Sequence, residues 1–124
     1  MSDNWRVYLA GGMTGHEFFN FPAFDNAARA LRYCGHEVFS PADNDRKLLG
    51  KPADWIPHES DSIGPWIAWA VEGAPSIRKM LGDDVAYICH EADAIAMLPG
   101  WENSKGARAE HALAVALGHK VIYL

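Results

Sequence analysis

Four short, mostly apolar runs constrain the fold of this 124-residue chain more than any other feature. They predict strands at Trp5 to Ala10, His36 to Phe39, Ala94 to Leu98 and Lys120 to Leu124. None shows the strict apolar–polar alternation of a strand with one wet face. Continuous apolar runs of this length are typical of parallel strands that helices cover on both faces.

Segments with helical spacing of apolar residues join the strands of each pair. They predict helices over Pro22 to Tyr33 and Ser104 to Leu117, with Gly35 and Gly118 as the C-terminal stops. Asp84 to Ala92 is predicted as a further helix that leads into the third strand. The inner positions expected on the last helix are Ala107, Ala112, Leu113, Ala116 and Leu117.

The order of these elements is β-α-β, an irregular segment, and β-α-β again. It predicts an α/β protein with a Rossmann- or flavodoxin-like doubly wound parallel sheet of four to five strands and helices on both faces. We expect a single domain over residues 1–124 with an insert at about 42–82. The insert holds four of the seven prolines, a possible short helix at Ile63 to Val71, and Trp55, Trp66 and Trp69. Its aromatic residues predict either a self-packed loop or an aromatic lid over a flat ligand.

The charge and the termini exclude several classes of partner. Eleven Lys and Arg against sixteen Asp and Glu give a formal net charge of −5, which disfavours a nucleic-acid polymer or an anionic membrane surface. No apolar run approaches the roughly 20 residues that would span a bilayer. The N-terminus lacks the pattern of a signal peptide, so we expect a cytoplasmic protein. A small anionic metabolite is still compatible with the charge.

The cysteines and histidines give no sign of a metal or a cofactor. Cys34 and Cys89 do not form a C-x-x-C pair, and we expect two free, buried thiols. The six histidines show no metal-ligand spacing. The sequence therefore predicts no metal site and no cofactor.

Two loops follow the first and third predicted strands, at the edge of the sheet where ligands bind in such folds. The first consists of Gly11, Gly12, Met13, Thr14 and Gly15. Its glycines let backbone N–H groups approach an anion, although a tight turn explains them equally well. The second loop leads into the last helix, with Ser104 as an N-cap or as a hydroxyl for a phosphate.

Four further side chains are candidates for chemistry. Glu110 lies about two turns into the last helix and is either a solvated surface glutamate or a functional carboxylate. Asp83 and Asp84 begin the predicted third helix, where they either complement its dipole or pair with Glu110 across a pocket. Two carboxylates can divide the roles of nucleophile and acid when their pKa values differ. Tyr8 lies on the first strand, where core packing with a satisfied hydroxyl is the simpler explanation.

Together these residues resemble the nucleoside 2-deoxyribosyltransferase-like superfamily. Within it, the sequence is most similar to a small phage and bacterial branch of unknown function (DUF4406-like). The resemblance covers about two thirds of the chain. It is carried by Tyr8 to Gly15, by Asn20 and Phe24, by Ala92 to Ile95 with Leu98 to Glu102, and by Ser104 to Ala107 with Glu110.

The resemblance implies an N-glycosidase that cleaves the base–sugar bond of a nucleoside 5′-monophosphate by hydrolysis or deoxyribosyl transfer. It implies that Glu110 is the nucleophile, and that Asp84, or failing that Asp83, protonates or orients the base. Tyr8 would position the nucleophile. Transferases of free nucleosides carry an acid where this chain has Ser104, so the serine implies a phosphate.

The resemblance also implies a set of substrate contacts and a homodimer or larger homo-oligomer. Trp101 would stack on the base or plug the loop, and one of the insert tryptophans would stack as well. The alternatives are a non-catalytic nucleotide sensor, an NAD-cleaving enzyme and a structural phage protein. The expected substrate contacts are Gly11, Gly12, Met13, Thr14, Gly15, Asn20, Gly100, Trp101, Ser104 and Gly106.

Overall fold

The computed structural model describes residues 4–57 and 77–124. In chain order the strands and helices are β1 (Arg6–Ala10), α1 (Phe21–Tyr33), β2 (Glu37–Phe39), α2 (Pro41–Leu48), α3 (Ile77–His90), β3 (Ala94–Met97), α4 (Lys105–Ala116) and β4 (Lys120–Tyr123). Short 3-10 turns at Glu17–Asn20 and Trp101–Asn103 precede α1 and α4. In the described part of the chain, no helix is long and apolar enough to cross a membrane.

The four strands form one parallel sheet in the order β2-β1-β3-β4. All four predicted strands are confirmed, each one residue shorter than the sequence indicates. In the register of the sheet, Val7 lies between Val38 of β2 and Ala94 of β3. The chain leaves β1 toward one edge and β3 toward the other, so the strand order reverses between these two central strands. This topology confirms the predicted doubly wound fold.

Both faces of the sheet are covered, which explains why the strands do not alternate. One side of the central strands packs against α1, and the opposite side packs against α3 and α4. The first face is formed by Val7, Leu9, Ala94 and Ala96, and the second by Tyr8, Ala10, Ile95 and Met97.

The start of α3 differs from the prediction. The described helix already includes Ile77, so Asp83 and Asp84 lie well inside α3 and not in its first turn, where they would complement the dipole. Gly82 followed by two acids favours a helix start locally. Met80, one turn before Asp84, is buried in the core and so favours helix before Gly82. Such tertiary packing outweighs the small local preference of Gly82 and the two acids for a helix start.

Helix α2 occupies residues that the sequence assigns to the irregular insert. It begins directly after Ser40, with Pro41 in its first turn. Its periodicity is hidden because it buries charge: Arg46 is almost fully buried and lies 2.7 Å from Asp25. The Nε of Arg46 also donates to the carbonyl of Trp55 at 2.6 Å. Ile63 to Val71, Trp66 and Trp69 lie outside the described residues.

Two predictions about individual side chains are wrong. Cys34 and Cys89 are exposed rather than buried, because they lie at or next to the ends of α1 and α3. Of the five inner positions expected on the last helix, Ala107 is buried and Leu113 packs against the core. The other three are exposed, namely Ala112, Ala116 and Leu117. The buried stripe of α4 consists of Ala107, Glu110 and Ala114. A glutamate in the middle of this stripe hides it from a search for apolar periodicity.

Candidate active site

A cleft of about 580 Å³ opens at the carboxyl ends of β1 and β3. This is the point where the strand order reverses and where ligands bind in doubly wound sheets. The loop after β1, the start of α4, the middle of α3 and the first residue of α2 form its walls. Its volume falls within the roughly 300–1,000 Å³ of small-molecule sites.

Most of the expected site residues line this cleft, namely Tyr8, Gly11, Gly12, Met13, Thr14, Asp84, Ser104, Gly106 and Glu110. Four others lie outside its wall, namely Gly15, Asn20, Gly100 and Trp101. Sequence reasoning missed His16, Pro41, Leu81, Asn103, Lys105 and Ala107. Pro41 lies two residues after the end of β2, so the edge rule that selected the two loops identifies it as well. No comparable signal marks Leu81.

Glu110 and Tyr8 meet at the base of the cleft. The Tyr8 hydroxyl donates a hydrogen bond to Oε2 of Glu110 at 2.6 Å, although the two residues are 102 positions apart. Glu110 is only 6% exposed, so it is not a solvated surface glutamate. Burial raises the pKa of Glu110 to about 7, and the hydrogen bond from Tyr8 acts in the opposite direction because it stabilises the carboxylate.

Asp84 brings a second carboxyl group to the same cleft. Its Oδ1 is buried and has no hydrogen-bond partner among the residues that the structure describes. Burial raises the pKa of Asp84 to about 8, with further increases from the negative charges of Glu110 and Asp45. The neighbouring Asp83 pairs with Lys79 at 2.8 Å, and this hydrogen bond lowers its pKa. The geometry therefore selects Asp84 over Asp83 as the partner of Glu110.

The two carboxyl groups ionise in sequence. The hydrogen bond from Tyr8 favours the carboxylate form of Glu110, and the charge of Glu110 then opposes the ionisation of Asp84. The pKa of Asp84 is therefore the higher of the two, and at pH values between the two pKa values the cleft holds an ionised Glu110 beside a protonated Asp84. A nucleophile and a proton donor with separated pKa values are what bond cleavage by two carboxyl groups requires.

The loop after β1 holds its backbone close to β3. A Cβ on Gly11 would lie 2.8 Å from Cδ1 of Leu98, so only glycine fits there. Asn20 Nδ2 donates to the Gly12 carbonyl at 2.9 Å, so Asn20 contacts the loop rather than the cleft. Asn20 and the two phenylalanines before it all have left-handed backbone, with φ between 50° and 62°. Such strain is typical of functional loops that the surrounding structure holds in place.

Ser104 is the N-cap of α4, as predicted. Its Oγ accepts a hydrogen bond from the Ala107 N–H at 3.2 Å. The hydroxyl hydrogen is still available, since a serine can donate and accept at the same time. Lys105 follows directly and also lines the cleft. This wall combines a helix N-terminus, a hydroxyl and an ammonium group, which together favour an anion.

Two of the aromatic residues expected near a base pack elsewhere. The Trp101 ring packs on those of His111 and Tyr123, with centroid distances of 4.4 Å and 6.3 Å. These contacts agree with the second of its two expected roles, as a hydrophobic residue packed under the loop. Trp55 packs edge-on against Phe21 at 6.0 Å. The cleft wall within residues 4–57 and 77–124 contains no aromatic ring other than those of Tyr8 and His16.

No metal centre is formed by the residues described. Across residues 4–57 and 77–124, no group of three or more His, Cys, Asp or Glu side chains could hold a metal ion. Glu110 and Asp84 instead line the cleft together, and Tyr8 holds the carboxyl group of Glu110.

The buried carboxyl groups predict that the protein loses stability as the pH rises. The pKa values of Asp45, Asp84 and Glu110 lie at about 7, 8 and 7, above those of an unfolded chain. Between about pH 4 and pH 8 the folded protein therefore holds more protons than the unfolded chain, and its stability falls as the pH increases. At about 1.4 kcal/mol per pKa unit, we expect the free energy of unfolding to fall by at least about 3 kcal/mol from pH 5 to pH 8.

Urea unfolding at the two pH values measures this difference. Asp45→Asn serves as the matched variant, since it removes one buried ionisable group outside the cleft and should reduce the pH dependence. An unfolding free energy that is equal or higher at pH 8 would contradict the assignment of raised pKa values.

Comparison with known families gives one match. The model of DUF4406, a domain of unknown function, matches residues 5–58 and 69–123. The matched ranges include the loop after β1, Asp84, Ser104 and Glu110. No curated protein and no solved structure matches the chain.

Proposed function

The chain belongs to the DUF4406 family, whose function is unknown, and we propose that it is an N-glycosidase that cleaves the base–sugar bond of a nucleoside 5′-monophosphate. One observation carries the proposal: the buried Glu110 carboxylate, held by Tyr8 at 2.6 Å, lines the same cleft as the Asp84 carboxyl group. Burying two carboxyl groups together is costly, and such pairs with strongly shifted pKa values cluster at catalytic sites.

In the first step, Glu110 attacks the anomeric carbon of the sugar. Tyr8 holds Oε2, so Oε1 is the expected attacking atom. A bond forms between Oε1 and C1′ while the C1′–N bond breaks, and its electron pair goes to the base. Asp84 gives its proton to the departing base nitrogen. The products of this step are a free base and a sugar phosphate linked to Glu110 as an ester.

In the second step, the ester is cleaved and both carboxyl groups return to their initial states. Asp84, now ionised, takes a proton from a water molecule while the oxygen of that water attacks C1′. The C1′–Oε1 bond breaks and the electron pair returns to Glu110. The released product is a sugar 5-phosphate. If a second base attacks instead of water, the same intermediate leads to deoxyribosyl transfer.

The 5′-phosphate is proposed to bind at the start of α4. The Ser104 hydroxyl, Lys105 and the backbone N–H groups of the helix offer donors there, opposite the glycine loop. The resemblance to nucleoside 2-deoxyribosyltransferases supports this position, since enzymes acting on free nucleosides carry an acid in place of the serine. A homo-oligomer, also implied by the resemblance, is part of the same proposal.

A substrate panel tests the reaction. Purified protein is incubated with ribo- and deoxyribonucleoside 5′-monophosphates, the free nucleosides and NAD, and released base is measured by chromatography. We expect base release from a monophosphate at a rate at least about tenfold above that of its nucleoside, which lacks the charge-assisted phosphate contacts. Release of nicotinamide from NAD would instead indicate an NAD-cleaving enzyme. Thermal stabilisation by a nucleotide without base release would indicate a sensor.

Ser104→Asp is the matched variant for the phosphate site. Aspartate is as good an N-cap as serine, so α4 should stay intact. Its negative charge repels a phosphate, and we expect turnover of the monophosphate to fall at least about tenfold while turnover of the free nucleoside changes less. If turnover of the monophosphate and of the nucleoside fell equally, the phosphate would not bind at Ser104.

A further inference from the structure

A second cavity, of about 210 Å³, is lined by residues of α1, β2 and α2. Arg32 of α1, residues at the end of β2, and residues of α2 as far as Lys47 in its last turn form its wall, and none of them lines the cleft. We infer that this cavity binds a small oxyanion of about the size of phosphate. The inference does not depend on the proposed function.

Ser40 supplies the first argument. Its side chain is 2% exposed, and its Oγ makes no hydrogen bond within residues 4–57 and 77–124. Although Ser40 is the N-cap residue of α2, its side chain does not cap the helix. Buried hydroxyl groups in proteins are nearly always hydrogen-bonded. Because Ser40 is one of the residues that line the cavity, an oxygen atom of a ligand bound there would complete the bonding of this hydroxyl.

The charges of the wall supply the second argument. Arg32 uses only Nη2 in the described residues, donating to the Val38 carbonyl and to Asp43, both at 2.9 Å. Its Nε and Nη1 therefore remain as donors. The wall's one carboxylate, Asp43, is already paired with both Arg32 and Arg46. Lys47 makes no ion pair in the part of the chain that the structure describes, so the wall carries excess positive charge.

The chemistry of these groups selects an oxyanion. A hydroxyl, a guanidinium edge, an ammonium and the amide of Asn44 are donors around one small space. Guanidinium groups match the geometry of phosphate and carboxylate oxygens. The volume lies below the range typical of drug-sized ligands, which indicates a small ion or the anionic group of a larger molecule. The N-terminus of α2 adds a favourable dipole.

Site-resolved NMR separates this cavity from the cleft. Backbone amide signals are followed while inorganic phosphate is added at low ionic strength, with sodium chloride added to the same ionic strength as reference. We expect saturable shifts for residues 40–47 that chloride does not reproduce. Shifts at residues 11–14 and 104–106 report binding in the cleft, so each site is read independently. If phosphate binds at only one of the two sites, binding there can still be measured.

Three variants complete the test. Ser40→Ala and Lys47→Gln should each weaken phosphate binding at residues 40–47 at least about tenfold, as loss of a hydrogen bond to a charged group predicts. Arg29→Gln removes a charge from an exposed position of α1 outside the cavity and should leave the affinity unchanged. The inference is overturned if phosphate shifts no signal in residues 40–47, if chloride gives the same shifts, or if Lys47→Gln binds as tightly as the wild type.

Discussion

We expect that replacing Glu110 by glutamine abolishes base release and leaves the protein folded, which is the largest effect that the proposed function predicts. An amide cannot form the glycosyl ester, and we expect the rate to fall by roughly 10⁴-fold or more, as for other nucleophile replacements. Glutamine has the shape of glutamate, and its Oε1 can accept the hydrogen bond from Tyr8. At pH 8 the variant should be at least as stable as the wild type, because it no longer buries an ionised carboxylate at that position.

Glu102→Gln is the control for this variant. Glu102 is exposed in the turn just before α4, and its replacement causes the same change in charge without touching the cleft. We expect normal base release from it. Intact-mass measurement after a rapid acid quench adds a direct reading, since wild-type protein should carry the mass of one sugar phosphate and Glu110→Gln should not. Turnover by Glu110→Gln at the wild-type rate would end the assignment of the nucleophile.

The sheet and the position of the site follow from local sequence patterns. Apolar runs that end in Gly11 and Pro99 mark the two central strands, and parallel strands place the loops after them at one edge. The contact between Tyr8 and Glu110 follows from the same topology, since α4 returns over the face of β1 that carries Tyr8. Strands and helices with regular apolar patterns are thus predictable from the sequence. Their topology then accounts for contacts between residues far apart in the chain.

The features that escaped prediction depend on buried polar groups. Helix α2 buries Asp45 and Arg46, so its inner face does not look apolar, and its ion pair with Asp25 exists only once α1 and α2 are packed together. The same cause hides the inner stripe of α4, in which Glu110 takes the place of an apolar residue. Buried carboxylates and buried charge pairs break the apolar patterns on which sequence reasoning depends.

The proposed role of Asp84 as proton donor predicts the second large effect, a loss of activity in Asp84→Asn. General acid catalysis contributes typically 10²- to 10⁴-fold, and we expect a decrease of this size in kcat/KM. The neutral amide keeps the size of the side chain and removes a carboxyl group whose pKa burial raises to about 8. Asp83→Asn is the matched control, since that residue pairs with Lys79 on the same helix. It should release base at close to the wild-type rate.

The pH profile distinguishes a proton donor from a residue that only shapes the cleft. In the wild type, kcat/KM should rise as Glu110 loses its proton near pH 7 and fall as Asp84 loses its proton near pH 8, giving a narrow bell. Asp84→Asn should lose the alkaline limb and keep the acid limb, because only Glu110 still titrates. A substrate whose base leaves without being protonated should recover most of the lost rate. A bell of unchanged shape in Asp84→Asn would show that another group donates the proton.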